Sequence, residues 1–226
     1  MANDAEKEAA ARASLKYVRD GQVVGLGTGS TANFAIRLLG EKVRAGMKLR
    51  GIPSSIASRD LASQVGIPLT TFDEVQEIDV TIDGADEFDP ALNLIKGGGG
   101  AMLREKIVAS ASKQLIIVTD ASKQVPVLGK FPLPLEVIAF AEPLIAKKVS
   151  ALGAQVVRRL DKNGKPYVTD EGHHILDCHF GKIPDPPALA RMLSDMPGIV
   201  EHGLFVGMAN VVVMAKAGAV EEFRRL

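Results

Sequence analysis

Residues 96–105, KGGGGAMLRE, set a lysine, four consecutive glycines and a glutamate in one short stretch. Glycine lets the backbone approach a ligand closely and present its N–H groups, at an entropic cost that ordinary loops avoid. Amides presented in this way stabilise a developing oxyanion, and loss of one such donor costs roughly 10²–10³ in rate. Lys96 adds a full positive charge beside Gly97, Gly98 and Gly99. Glu105 falls in the helix that the loop opens. A carboxylate facing a nest of donors is what abstraction of a C–H proton next to a carbonyl requires: the base takes the proton while the donors hold the enediolate oxygen. Leu103 and Ile107 are expected to face the core, leaving Glu105 to project toward the loop end or out to water; the plain structural alternative is an exposed helical glutamate beside Arg104 and Lys106.

Two further loops carry chemistry. DGADE, residues 83–87, holds three carboxylates in five positions. Asp83 and Asp86 there are suited to gripping sugar hydroxyls or shuttling protons, or they form a solvated Asp-Gly turn. GLGTGSTA, residues 25–32, follows an apolar run and opens a helix. Exposed amides and hydroxyls at a helix start attract an anion, most often phosphate. Ser30 replaces the last glycine of the dinucleotide fingerprint, and no Gly-Lys-Ser/Thr follows. The alternative here is a tight strand-to-helix turn with Ser30 or Thr31 as N-cap. No metal is expected: His173, His174, His179 and His202 all fall in or beside a second domain, away from the carboxylates.

The elements that must position these loops are short β-branched runs alternating with helical patterns. Residues 22–27, 49–53, 77–83 and 114–120 read as buried parallel strands. Helices are expected over 4–19, from Thr31 to near Gly40, from near Ser54 to Gly66, and over 101–111. This alternation means a doubly wound, mainly parallel α/β sheet. Ligands of such sheets bind outside the carboxyl ends of the strands. TGSTA, DGADE, KGGGG and DASK each follow an apolar run, so one location for all four is the strongest inference from the residues themselves.

Past Lys130 the order strand, helix, strand, then strand, helix, strand implies a smaller α+β, ferredoxin-like domain. In it Asp185 caps a helix, His173, His174 and His179 are strand residues, and Cys178 is a buried small hydrophobe. NVVVMAK, residues 210–216, returns to the large sheet. The expected division is 1–131 plus 205–226 for the large domain and 132–204 for the insertion. The small domain carries no site-like motif and is expected to make oligomer contacts and wall the cleft.

Composition narrows the class. The chain has 226 residues, 46% of them apolar, with 27 acidic and 27 basic side chains and no long basic run. That balance gives no nucleic-acid or anionic-membrane surface. The single cysteine fits a reducing compartment. No signal-peptide core stands at the N-terminus, and no apolar run approaches the roughly 20 residues that span a bilayer. A soluble cytoplasmic protein is expected.

GLGTGSTA, TIDGADE, KGGGGAMLREK and DASKQVPVLGKFPLPLEV, in this order, resemble the ribose-5-phosphate isomerases of the A type. The resemblance runs over essentially the whole chain. It implies interconversion of ribose 5-phosphate and ribulose 5-phosphate through a cis-enediolate, without metal or organic cofactor. It makes Glu105 the base that moves a proton between C1 and C2. It places Asp83, Gly84, Ala85 and Asp86 on the sugar hydroxyls, with the two acids implicated in ring opening. Lys96 with Gly97, Gly98 and Gly99 surrounds the carbonyl end, and Thr28, Gly29, Ser30 and Thr31 form the substrate loop. Lys123 corresponds to a phosphate-binding lysine, and Lys7 to another that reaches the phosphate. Gly100 departs from many members, which carry alanine there. The family forms dimers or dimers of dimers, and a homodimer or tetramer is implied here.

Rival readings are a sugar-phosphate sensor, and an aminosugar-phosphate deaminase or acyl-CoA transferase of related architecture. A sensor needs an output domain, and no helix-turn-helix segment or basic arm stands in the chain. A binder also has no use for Glu105 beside an oxyanion nest.

Overall fold

A computed structural model describes residues 4–225. The chain opens with α1 (Asp4–Ser14), β1 (Gln22–Leu26), α2 (Ser30–Arg44), β2 (Leu49–Pro53), α3 (Ile56–Gln64) and β3 (Val80–Asp83). Two very short strands, β4 (Glu87–Phe88) and β5 (Leu94–Ile95), precede α4 (Met102–Ser110) and β6 (Leu115–Asp120). There follow β7 (Leu133–Val137), α5 (Glu142–Ser150), β8 (Gln155–Arg158), β9 (His174–His179), α6 (Pro186–Ser194) and β10 (Ile199–His202). The last elements are β11 (Leu204–Phe205), β12 (Val211–Lys216) and β13 (Ala219–Arg224). Residues 1–3 and 226, which the expected large domain includes, lie outside the described residues.

The chain divides into two compact units: one runs to Ala85 and adds Arg104–Gln124 and the segment from Met208, and the other is Asp86–Leu103 with Val125–Gly207. Residues 86–103, placed in the large domain by sequence, therefore cluster with the second unit.

In the first unit a six-stranded sheet has the order β13-β12-β6-β3-β1-β2. Every pairing is parallel except that of β12 with β13. Strand order reverses between β1 and β3, which makes the sheet doubly wound. The inner strands β1, β3, β6 and β12 are largely buried apolar runs, such as LIIVTD in β6, as strands covered on both faces must be, whereas the edge strand β2 exposes Arg50. The expected end of a helix near Gly40 is corrected: α2 runs on to Arg44. A Cβ at Gly40 would lie 2.6 Å from Val65 Cγ2 and 2.9 Å from the Val65 carbonyl O. That glycine serves close packing against the segment after α3 rather than helix termination. The hairpin partner β13 was not anticipated.

In the second unit the order β7-α5-β8-β9-α6-β10 folds into an antiparallel sheet β10-β7-β9-β8, the ferredoxin-like plan. Its core joins Leu133, Leu135, Val137, Ile145, Val149, Leu176, Cys178 and Leu193. Asp185 caps α6, accepting the Ala188 N–H at 2.9 Å. The apolar run before KGGGG holds β5, which lies outside the parallel sheet and pairs antiparallel with β4 and β11 in a three-stranded sheet. Two residues per strand are too few to show a period, so an apolar triplet alone did not reveal its partner.

Cys178 is fully buried, and burial pushes its thiol up to about 12, with the charge of Asp177 adding to the shift. Only thiolate reacts with thiol reagents. At neutral pH a disulfide reagent is expected to leave the folded protein unlabelled and to label one thiol after denaturation. Rapid labelling of the native protein would contradict this packing.

Candidate active site

Because β1, β3 and β6 run parallel in register, with Leu26 beside Ile82 and Asp83 beside Ile117, their following loops leave the sheet at one edge. Thr28–Thr31, Asp83–Ala85 and Lys123 share that edge, the first two flanking the point where strand order reverses. Asp83 ends β3 and is 1% exposed. Its Oδ1 accepts the Thr28 N–H at 3.0 Å and the Gly84 N–H at 2.7 Å. Gly27 makes this possible, since a Cβ there would sit 2.3 Å from the same oxygen. A buried carboxylate is thus oriented by two backbone donors at the mouth of the sheet.

β2 contributes a pair that the sequence reading passed over. Thr28 Oγ1 donates to Ser55 Oγ at 2.8 Å and lies 2.9 Å from Ser54 Oγ. Ser54 Oγ donates to the Leu26 carbonyl at 2.9 Å. Ser55 also N-caps α3 in a reciprocal box with Ser58, a device worth about 1 kcal/mol. The strand-end logic that singled out TGSTA applies equally to the serines after residues 49–53. The expected cap at Ser30 or Thr31 is corrected: Gly29, with φ of 105°, is the N-cap of α2 and makes no side-chain cap bond. Ser30 is exposed and Thr31 half-buried at the first turn of α2, where N–H groups lack helical partners.

Lys123 is half-buried in a 3-10 turn that Asp120 caps by accepting the Ser122 N–H at 2.9 Å. Lys7 pairs with Asp4 on α1 at 3.3 Å. Glu105 stands in the first turn of α4. Only residues 111–114 join α4 to β6. The helix therefore runs back along the sheet, with its start toward the carboxyl edge of the strands. The expectation for this helix is corrected in detail: Ile107 is 45% exposed and Leu103 only half-buried. The buried stripe is instead Met102, Glu105, Val108 and Ala109, a spacing of one helical face. Val108 on that stripe packs with Val23, Ile52 and Ile78. Glu105 is 5% exposed, so its carboxylate lies on the covered face, not in bulk solvent.

The second unit carries Asp86, Lys96 and the glycine loop. Lys96 is 2% exposed. Its N–H donates to the Gly203 carbonyl at 2.9 Å, and its ammonium lies 5.5 Å from the Phe205 ring centre. The Asp86 N–H donates to the Ile95 carbonyl at 2.8 Å. Its Oδ2 accepts the Gly98 N–H at 2.7 Å. The loop therefore orients an acid, a use of its amides that the sequence reading did not foresee. Arg159 Nη1 donates to the carbonyls of Gly97 and Gly98 at 2.9 and 3.1 Å. Tyr167 Oη donates to the Gly99 carbonyl at 3.3 Å. Neither residue stands in a motif. The small domain, read as motif-poor, supplies both. Among the described residues, no group of three or more His, Cys, Asp or Glu side chains is arranged to hold a metal ion.

A family model described as ribose 5-phosphate isomerase A (phosphoriboisomerase A) matches residues 50–219. The ribose-5-phosphate isomerase A of Bradyrhizobium diazoefficiens is 52% identical over 97% of this chain and 95% of its own. That of Nitrobacter hamburgensis is 52% identical over the full length of both. Among solved structures, ribose 5-phosphate isomerase A from Methanocaldococcus jannaschii matches at 39% identity, with a TM-score of 0.95, over 99% of this chain and 100% of its own. A D-ribose-5-phosphate isomerase in complex with phospho-erythronic acid matches at 39% identity, with a TM-score of 0.96, over 100% of both chains.

Proposed function

The chain belongs to the ribose 5-phosphate isomerase A family, and on that footing we propose the roles its own residues take in interconverting D-ribose 5-phosphate and D-ribulose 5-phosphate. The reaction serves the non-oxidative pentose phosphate pathway. The first-turn amides and hydroxyls of Gly29, Ser30 and Thr31, with Thr28, Lys123 and Lys7, receive the phosphate end. A local nest and two point charges suffice for one phosphate on a chain of zero net charge. Asp83 and Asp86, with the backbone at Gly84 and Ala85, hold the sugar hydroxyls. These acids also move the protons of ring opening, one taken from the C1 hydroxyl and one returned to the ring oxygen.

In the open aldose, Glu105 takes the proton from C2. The C–H electrons form the C1=C2 bond, and the carbonyl pair moves onto O1. Lys96 and the amides of Gly97 and Gly99 stabilise that charge, while the Gly98 amide holds Asp86. Transfer of the O2 proton to O1 and delivery of the Glu105 proton to C1 give the ketose. One base serves both carbons because they are adjacent on one face of a planar intermediate. The observation that carries this assignment is the burial of Glu105 on the covered stripe of α4. A glutamate with only a solubilising role belongs on the exposed face. Phospho-erythronic acid, the ligand of the structural relative, supports the same chemistry: a planar carboxylate at the end of a phosphorylated chain has the shape and charge of an enediolate.

The protein acts on this reading in the cytoplasm, without metal, as a homodimer or dimer of dimers. Phe140 is 96% exposed, with Ile138 and Leu144 near it in sequence also exposed, an apolar surface suited to a second copy. Among the described residues, no helix is long and apolar enough to cross a membrane.

The deciding experiment is an isomerisation assay on ribose 5-phosphate in deuterated buffer with a strong chelator present. Turnover is expected to be unaffected by the chelator, with solvent deuterium entering C1 of the product. Turnover that collapses under the chelator and returns with a divalent ion would overturn the roles given to Glu105 and Lys96.

A further inference from the structure

Resting on the roles assigned above to Asp86 and the glycine loop, we propose that Arg159 is a positioning residue for the isomerisation, holding peptide groups 97–98 and 98–99 and, through them, the Asp86 carboxylate. Arg159 follows β8 directly. Asp177 on β9 fixes its guanidinium: Nε donates to Oδ2 at 2.9 Å, and Nη2 donates to Oδ1. The two side chains are 14% and 19% exposed, so this fork is largely shielded from water. Nη1 is thereby aimed at the Gly97 and Gly98 carbonyls. Each carbonyl shares its amide group with the N–H of the next residue. A cation on the oxygen draws electrons from the nitrogen and makes that N–H a better donor. The Gly98 N–H, polarised through the Gly97 carbonyl, is the one that donates to Asp86 Oδ2. One run of hydrogen bonds therefore joins Asp177, Arg159, peptide 97–98 and Asp86.

Tyr167 braces the same loop. Its ring centre lies 5.9 Å from the Arg159 guanidinium carbon, and its hydroxyl donates to the Gly99 carbonyl. Burial raises the phenol above its ordinary value, which keeps the hydroxyl a donor. Gly100 leaves the space for it: at φ of 80°, a Cβ would lie 2.4 Å from Tyr167 Oη. The glycine at this position, where a Cβ would collide, is explained by the contact. A lysine at 159 would keep the charge but lose the planar fork that grips Asp177 and two carbonyls together.

The test compares the parent with Arg159→Met, Asp86→Ala and the double variant, measuring kcat and KM for ribose 5-phosphate and the melting temperature. Arg159→Met is expected to lower kcat about 10–100-fold, the scale of a misplaced catalytic group, with KM within about threefold. In the Asp86→Ala background the same change is expected to cost much less, because coupled residues are not additive. A merely structural arginine predicts equal losses in both backgrounds; that result, or a kcat within about threefold of the parent, would overturn the proposal. If Arg159→Met does not fold with Asp177 left unpaired, the paired change Arg159→Met/Asp177→Leu removes both charges and is expected to show the same kcat loss. Glu105→Gln is assayed alongside. Full activity there defeats the underlying catalytic reading, whereas its collapse beside an unimpaired Arg159→Met defeats the positioning role alone.

Discussion

Glu105→Gln is expected to lower kcat by about 10²–10⁴-fold, the usual contribution of a general base, while KM for ribose 5-phosphate stays within roughly threefold. The substitution keeps the size and shape of the side chain and removes only its capacity to take a proton. That rate loss corresponds to about 3–5 kcal/mol of transition-state stabilisation. Glu105 is buried on a stripe with Met102, Val108 and Ala109, so an isosteric change preserves packing and the melting temperature should stay near that of the parent. Binding of phospho-erythronic acid should also persist, because the phosphate end is held by other residues. Glu105→Asp provides a second reading of the same group. It keeps the carboxylate but withdraws it by one methylene, and a misplacement of about 1 Å costs on the order of 10²-fold. A glutamine variant with unchanged turnover would remove Glu105 from the mechanism.

The legibility of these residues differs for physical reasons. TGST, DGADE and KGGGG stood out as candidates because glycines, hydroxyls and acids adjacent in sequence form a pattern that an ordinary connector does not need. β1 and β6 were visible because strands buried on both faces are continuous apolar runs. Gly40 misled because glycine has two uses, ending a helix and letting another segment approach, and only the position of Val65 distinguishes them. The face of α4 misled because a buried carboxylate occupies a position that hydrophobic periodicity assigns to leucine or isoleucine. Leu103 and Ile107 looked like the core, and Glu105 took their place. Arg159 was illegible for another reason. Its partners Gly97, Gly98 and Asp177 are distant in sequence, and no local pattern records a contact made by tertiary folding.

Asp83 and Asp86 stand three residues apart, yet different segments hold them. Asp83 is oriented by amides at Thr28 and Gly84, Asp86 by the amide of Gly98. This difference makes Gly98→Ala the sharpest test of the loop. An added Cβ would lie 2.6 Å from Asp86 Oδ1 and 2.9 Å from Oδ2, closer than real Cβ contacts come. Something must move, and the carboxylate is the movable part: Asp86 is half-buried, and Gly98 itself is exposed. The φ of Gly98 is not in the left-handed region, so alanine brings no backbone strain there. Folding is therefore expected to survive with little change in melting temperature. The cost falls on geometry: Asp86 swings away, its 2.7 Å bond to the loop is lost, and the peptide it steadied is released. Loss of an oriented group of this kind predicts a fall in kcat of about 10²–10³-fold. The phosphate end, held elsewhere, should bind inorganic phosphate as in the parent. A Gly98→Ala protein that turns over at the parental rate would show that the close contact between this glycine and Asp86 has no part in catalysis.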